Sequence, residues 1–193
     1  MYICTIINNI FNYNHINDIM KDYIQIGKHI TYLLRHNPED LVMDKNGYVS
    51  VTSLLSKVAI TQEELDHIVD TNDKKRLAYS PDKTMIRASQ GHSIKVDVQL
   101  KVIRPPRVLY HGTSPDSYDK ILRSKGLSKM RRLHVHLTDN KDTAHKVGKR
   151  YSKYEEPVIL EIDAAAMHTD GFKFYKSEND VWLTDNVPLK YIK

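Results

Sequence analysis

The chain has 193 residues, with 29 Lys and Arg against 24 Asp and Glu, for a formal charge of +5. That length accommodates one large domain or two small ones, and the modest basic excess permits a nucleic-acid partner without demanding one. Cys4 is the only cysteine, which excludes an internal disulfide or a cysteine-based metal site and suits a reducing compartment; no apolar run approaches the roughly 20 residues that cross a bilayer, so no membrane association is expected.

Residues 1–19 are biased towards Asn and Ile and lack the basic start and small-residue cleavage site of a secretory leader. They read as a poorly ordered N-terminal extension, with Met20 as an alternative start. Residues 22–36 predict a helix, because Ile26, Ile30, Leu33 and Leu34 recur at helical spacing. Pro38 stops it and biases Asn37 towards extended geometry. Arg35 and His36 therefore fall in the last turn, where a cation also simply matches the helix dipole. A turn at Asp44–Gly47, an extended piece at Tyr48–Ser50 and a short helix over Val51–Lys57 follow. Thr61 and Glu64 form a capping box, and Leu65, Ile68 and Val69 give the next helix its buried face. Arg76–Tyr79 and Thr84–Ala88 flank the turn residues Ser80–Lys83 as a hairpin. Helices followed by a hairpin predict a winged-helix lobe over residues 20–103.

Val96, Val98, Leu100 and Val102 alternate as in a strand, and Pro105 and Pro106 then break any ladder. This places a linker at 104–107 and a second lobe over 104–193. There, Val108–His111 predicts a strand, and Ser114–Pro115 opens a helix that Gly126 ends. Leu133–Leu137 alternates as a strand, and Asn140–Tyr151 is a basic helix. Pro157–Ile162, Phe172–Tyr175, Val181–Leu183 and Leu189–Ile192 complete a sheet. The fold class is α+β.

The stretch Thr84–Ser93 sets Arg87, an amide (Gln90), a glycine, an imidazole and hydroxyls within ten positions. It reads equally as a site for a phosphorylated ligand or as a polar turn with one surface arginine. If Leu133–Leu137 is a strand, Arg132, His134 and His136 share one face, with Leu133, Val135 and Leu137 on the other. That polar face is a ligand site, a solvated surface, or half of a zinc site; the last lacks a third ligand. Tyr110-His111-Gly112-Thr113 ends a strand before a helix. Its glycine either admits a flat ligand to the backbone or only makes a turn. The chain has neither a phosphate-binding G-x-x-x-x-G-K-[ST] loop nor a G-x-G-x-x-G turn, so chemistry rests on Arg and His.

The segments L-L-R-H-N-P (33–38), I-R-A-S-Q-G-H-S (86–93), L-Y-H-G-T (109–113), G-L-S-K-M-R-R-L-H-V-H-L-T (126–138) and V-W-L-T-D-N-V-P (181–188) resemble the RNA 2′-phosphotransferase family in composition and order. The resemblance spans Tyr23 to the C-terminus. It implies a winged-helix RNA-binding lobe joined to an ADP-ribosyltransferase-like split β-sheet lobe that binds NAD, with the active site in the cleft between them. It also implies a reaction: an internal RNA 2′-phosphate attacks the nicotinamide riboside of NAD⁺, nicotinamide leaves, and the 2″-hydroxyl then attacks phosphorus to free the RNA. ADP-ribose 1″,2″-cyclic phosphate is the other product.

By the same resemblance the catalytic set falls on Arg35, His36, Arg87 and Arg132, with His36 positioning the phosphate or moving the 2″-hydroxyl proton. The NAD-binding set falls on His111, Gly112, Thr113, Gln90, His134 and His136: His111 on ribose, the Gly112 backbone on the carboxamide, and His134 or His136 beside the nicotinamide ring. NAD is consumed as a co-substrate and no metal is expected. Ser89 stands where the family usually has asparagine and Asp180 where it has glycine. The expected partner is an RNA bearing a 2′-phosphate, such as a spliced tRNA. A monomer is expected, in the cytoplasm or in a eukaryotic nucleus. Two alternatives remain: a relative that caps terminal phosphates of RNA or DNA with ADP-ribose, and a non-catalytic RNA-binding module using the basic helix Lys141–Arg150.

Overall fold

The computed structural model describes residues 23–152 and 154–193; the expected extension at 1–19 lies outside them. The architecture is α+β, in two compact units, one ending at Ala88 and one beginning at Ser89. The expected linker at 104–107 thus lies inside the second unit, and Pro105 in it is buried.

In the first unit, residues 23–35 are helical (α1). Ile30, Leu33 and Leu34 are fully buried, and the Thr31 hydroxyl donates to the Gly27 carbonyl at 2.7 Å. The helix stops at His36, whose N–H donates to Tyr32 O at 2.9 Å. Strand β1 (Val49–Ser50) runs directly into α2 (Val51–Val58), capped by the Ser50 hydroxyl. Helix α3 (Gln62–Asp70) begins at the predicted capping box. Thr61 Oγ1 accepts from Glu64 N–H at 3.3 Å, and Glu64 Oε2 accepts from Thr61 N–H at 2.8 Å. The hairpin strands are β2 (Leu77–Tyr79) and β3 (Met85–Ala88), and β3 is central in the order β1-β3-β2. Ile86 and Ala88 point into a core with Leu33, Leu54 and Leu65; strand alternation sends Arg87 to the other face.

The second unit begins without a ladder. Lys95, Asp97 and Gln99 are exposed while Val98 is buried, so burial alternates as expected, but Gln99 has φ 57° and interrupts extended geometry. Only Val102 forms a bridge, to Tyr175. Strand β4 (Val108–Thr113) pairs antiparallel with β7 (Val158–Asp163) along its whole length. Helix α4 (Pro115–Arg123) is capped by Ser114, as predicted. Its end differs: Lys125, at φ 60°, takes the left-handed position, and Gly126 instead opens β5 (Gly126–Ser128) against β10 (Asn186–Pro188). Strand β6 (Val135–Leu137) lies beside β9 (Trp182–Thr184), which carries β8 (Tyr175–Lys176). Helix α5 (Lys141–Lys149) starts at the Asn140 cap, and α6 (Ala164–Thr169) follows β7. The expected final strand Leu189–Ile192 is instead a 3₁₀ turn at Leu189–Tyr191, with Ile192 bridging Ile162. Leu109, Leu160, Ile162, Met167 and Phe174 form a core separate from that of the first unit.

Helix α5 lies unusually close to β4. A Cβ on Gly112 would stand 1.8 Å from the Ala144 carbonyl oxygen, and one on Gly148 would stand 3.1 Å from the Thr113 nitrogen. Backbone cannot move aside as a side chain can, so Gly112 is required there, while at Gly148 a Cβ would also press on the Pro157 Cβ at 2.6 Å. Gly112→Ala is expected to lower stability by about 3 kcal/mol, seen as a lower chemical-denaturation midpoint. An unchanged midpoint would mean that α5 does not press on β4.

Candidate active site

The sequence places most polar functional groups of the second unit on three neighbouring segments: the 89–93 turn, the end of β4 and the entry to β6. The buried Val135 and Leu137 orient β6, so His136 faces away from the core. The Leu133 N–H donates to the His92 carbonyl at 3.2 Å, which ties the 89–93 turn to the entry of β6. Gln90 then reaches the His136 ring, its Oε1 2.6 Å from Nε2. The other ring nitrogen, Nδ1, lies 3.5 Å from Arg132 Nη1. Gln90, His92, His134 and His136 line a small hollow together with Val98, Leu133 and Leu183.

One expectation is corrected. Arg132 to His134 form a bend rather than a strand, so Leu133 lines the same hollow as the two histidines instead of lying opposite them. Arg132 still meets His136, but through the bend. The space that a Gly112 side chain would fill is taken by α5. Asp180, where the resembled family has glycine, adopts φ 62°, the left-handed geometry that glycine favours.

His111 donates from Nδ1 to the His136 carbonyl at 2.9 Å, since a carbonyl can only accept. Burial pushes its pKa below the ordinary value; Arg132 adds to that, and the His136 carbonyl works against it. The ring is therefore neutral at pH 7, with Nε2 carrying a lone pair. His134 packs tilted against Tyr175 at 5.6 Å between centroids. Burial lowers its pKa too, with Lys129 adding and Asp185 opposing. Thr113 is buried at the end of β4, and the Ser114 hydroxyl is occupied in capping α4. Among the described residues, no group of three or more His, Cys, Asp or Glu is arranged to hold a metal ion.

In the first unit, Arg35 ends α1 half-buried and His36 follows it exposed. The His36 ring lies 5.8 Å from that of Tyr32, one helical turn earlier. Arg87 is 7% exposed and stacks on Tyr48 at 4.6 Å. The pairing of Val49 with Ile86 and Ser50 with Met85 sets Tyr48 beside Arg87. Strand register does not show in the sequence, and so Tyr48 was missed; His92 was visible in the 86–93 segment but carried no assignment.

A family model described as RNA 2′-phosphotransferase, Tpt1/KptA family, matches residues 21–186. The chain belongs to that family. It is 49% identical over 175 residues to a probable RNA 2′-phosphotransferase of Flavobacterium johnsoniae, covering 87% of this chain and 94% of the relative. A protein of the same description from Fusobacterium nucleatum is 46% identical over 182 residues, 90% of this chain and 99% of the relative. One from Streptomyces coelicolor is 45% identical over 177 residues, covering 88% and 94%.

Because the folded state disfavours the His111 cation, the unfolded chain binds more protons below about pH 6.5. The stability this neutral ring contributes is present above that pH and is lost as pH falls towards the depressed folded value. Thermal midpoints are expected to drop between about pH 7.5 and about pH 5.5, and His111→Asn should drop less. Parallel curves for the two proteins would remove His111 as the source.

Proposed function

We propose that this chain removes an internal RNA 2′-phosphate by transferring it to NAD⁺, releasing nicotinamide and ADP-ribose 1″,2″-cyclic phosphate. Family membership over residues 21–186 is the observation that carries this reading. With it go two finer assignments: the first unit as a winged-helix RNA-binding lobe, and the second as an ADP-ribosyltransferase-like NAD lobe. Arg35, His36, Arg87 and Arg132 are the proposed catalytic residues.

In the first step an oxygen of the 2′-phosphate attacks C1″ of the nicotinamide ribose. The bond from C1″ to the nicotinamide nitrogen breaks, and its electron pair neutralises the pyridinium. In the second step the ribose 2″-hydroxyl attacks phosphorus and gives up its proton. The bond from phosphorus to the RNA 2′-oxygen breaks, and that oxygen takes up a proton. A phosphate carrying nearly two charges needs no base to become a nucleophile; it needs to be held in line. Guanidiniums hold it through paired N–H donors and stay charged at any working pH. The Tyr48 face under Arg87 supports such a role, since the ring fixes the guanidinium plane without neutralising it. The same cations stabilise charge that builds on phosphorus in the second step. His36, exposed at the end of α1, is assigned the proton of the 2″-hydroxyl.

Two features of the second unit support the NAD assignment. His111 Nε2 is an acceptor for a ribose hydroxyl, because Nδ1 is committed to the His136 carbonyl. The Tyr110 N–H and C=O pair with Thr138, and strand alternation directs those of Gly112 to the same edge, suited to a carboxamide. Thr113, Gln90 and His134 complete the proposed NAD set, with the His134 ring assigned to the nicotinamide.

The test incubates the protein with NAD⁺ and an oligonucleotide carrying one internal 2′-phosphate. Conversion to 2′-hydroxyl RNA is expected; stable ADP-ribosylated RNA would instead indicate a capping enzyme, and unchanged RNA a binding module. Arg87→Ala and Arg132→Ala are each expected to cut turnover by about 100-fold or more with thermal midpoints preserved. Wild-type rates in either variant would refute the assignment of that arginine.

A further inference from the structure

We infer that His136 is not a nicotinamide-stacking residue but a positioning residue, which holds the Arg132 guanidinium through Nδ1 while Gln90 fixes its tautomer through Nε2. This rests on the reading of Arg132 as a phosphate-binding group.

Two separate constraints give the same proton position. Arg132 offers only donors, and its Nη1 lies 3.5 Å from His136 Nδ1. A bond there requires a lone pair on Nδ1, which puts the ring proton on Nε2. On the other side, Gln90 Oε1 lies 2.6 Å from Nε2, and an amide oxygen can only accept, so it also calls for a proton on Nε2. The imidazole thus relays a fixed orientation from Gln90 to Arg132. The backbone keeps the three groups together: the 89–93 turn is tied to the β6 entry by the Leu133 N–H on the His92 carbonyl, and Val135 and Leu137 anchor β6 in the core. The His136 carbonyl meanwhile accepts from His111, so one residue connects the arginine to the ring proposed for the ribose.

A guanidinium on an exposed bend samples many orientations, and in-line displacement at phosphorus tolerates few. A neutral acceptor steers Arg132 without competing for its charge. A carboxylate in the same place would bind the guanidinium more tightly and cancel the field meant for the phosphate. This accounts for an imidazole with a locked tautomer rather than an Asp or Glu.

The side-chain amide of asparagine places its oxygen near Nδ1, whereas that of glutamine reaches the Nε2 position. His136→Asn keeps an acceptor for Arg132 and is expected to lose about tenfold in kcat; His136→Gln keeps only the Gln90 side and is expected to lose on the order of 100-fold. Gln90→Glu should resemble His136→Gln, because a carboxylate on Nε2 favours the imidazolium, which has no lone pair for Arg132. In both His136 variants the KM for NAD⁺ stays within about twofold, and in all three variants single-turnover quenches show ADP-ribosylated RNA accumulating. Added to Arg132→Ala, His136→Gln should cost little more. A raised KM for NAD⁺ with kcat intact would make His136 an NAD-binding ring, and losses that multiply with those of Arg132→Ala would mean that the two act separately; either outcome overturns the proposal. Wild-type turnover in Arg132→Ala alone would instead sink the underlying role of Arg132.

Discussion

The second unit depends on a backbone-to-backbone approach that only glycine permits. With no Cβ on Gly112, the Ala144 carbonyl of α5 occupies the space a side chain would need. Strand β4 is thereby gripped between α5 and its full-length partner β7. Residue 112 faces α5, so alternation turns His111 to the opposite side, where its ring reaches the His136 carbonyl. A tight packing contact on one face of the strand sets the aim of the His111 imidazole on the other.

From there the site is a matter of where protons cannot sit. His111 is neutral because it is buried near Arg132, and its Nδ1 proton is fixed by a carbonyl. His136 carries its proton on Nε2, facing Gln90. Each ring presents a defined lone pair, that of His136 towards a guanidinium. Charge is left to arginines, whose protonation does not vary. The first unit supplies Arg87 with an aromatic face, which holds the plane of the cation and leaves its charge intact.

Much of this was legible in the sequence where signals are local. The capping box at Thr61 and the Ser114–Pro115 helix start are one-turn patterns, and both appear as read. The hairpin of β2 and β3 followed from turn residues. What failed was non-local or backbone-specific. Apolar alternation over 96–102 looked like a strand, but Gln99 takes a left-handed conformation and the segment finds one bridge instead of a ladder. Gly126 was read as a helix stop, yet Lys125 accepts that geometry and the glycine serves β5, where a Cβ would stand 2.2 Å from the Val187 carbonyl oxygen. Arg132 and His136 were placed on one strand face and do meet, although the strand starts only at Val135. The Tyr48 contact depends on register, and the His136 tautomer on partners 46 residues apart at Gln90 and four apart at Arg132; no local pattern contains either.

The central claim is that fixed guanidiniums hold the RNA 2′-phosphate as a dianion. The most direct measurement is a ³¹P NMR titration of a 2′-phosphorylated oligonucleotide bound to the protein without NAD⁺. The free group takes its second proton near pH 6. Bound among arginines, it is expected to titrate at least about one unit lower, since each unit reflects about 1.4 kcal/mol of preference for the dianion. A bound phosphate that titrates at its free value would contradict the account.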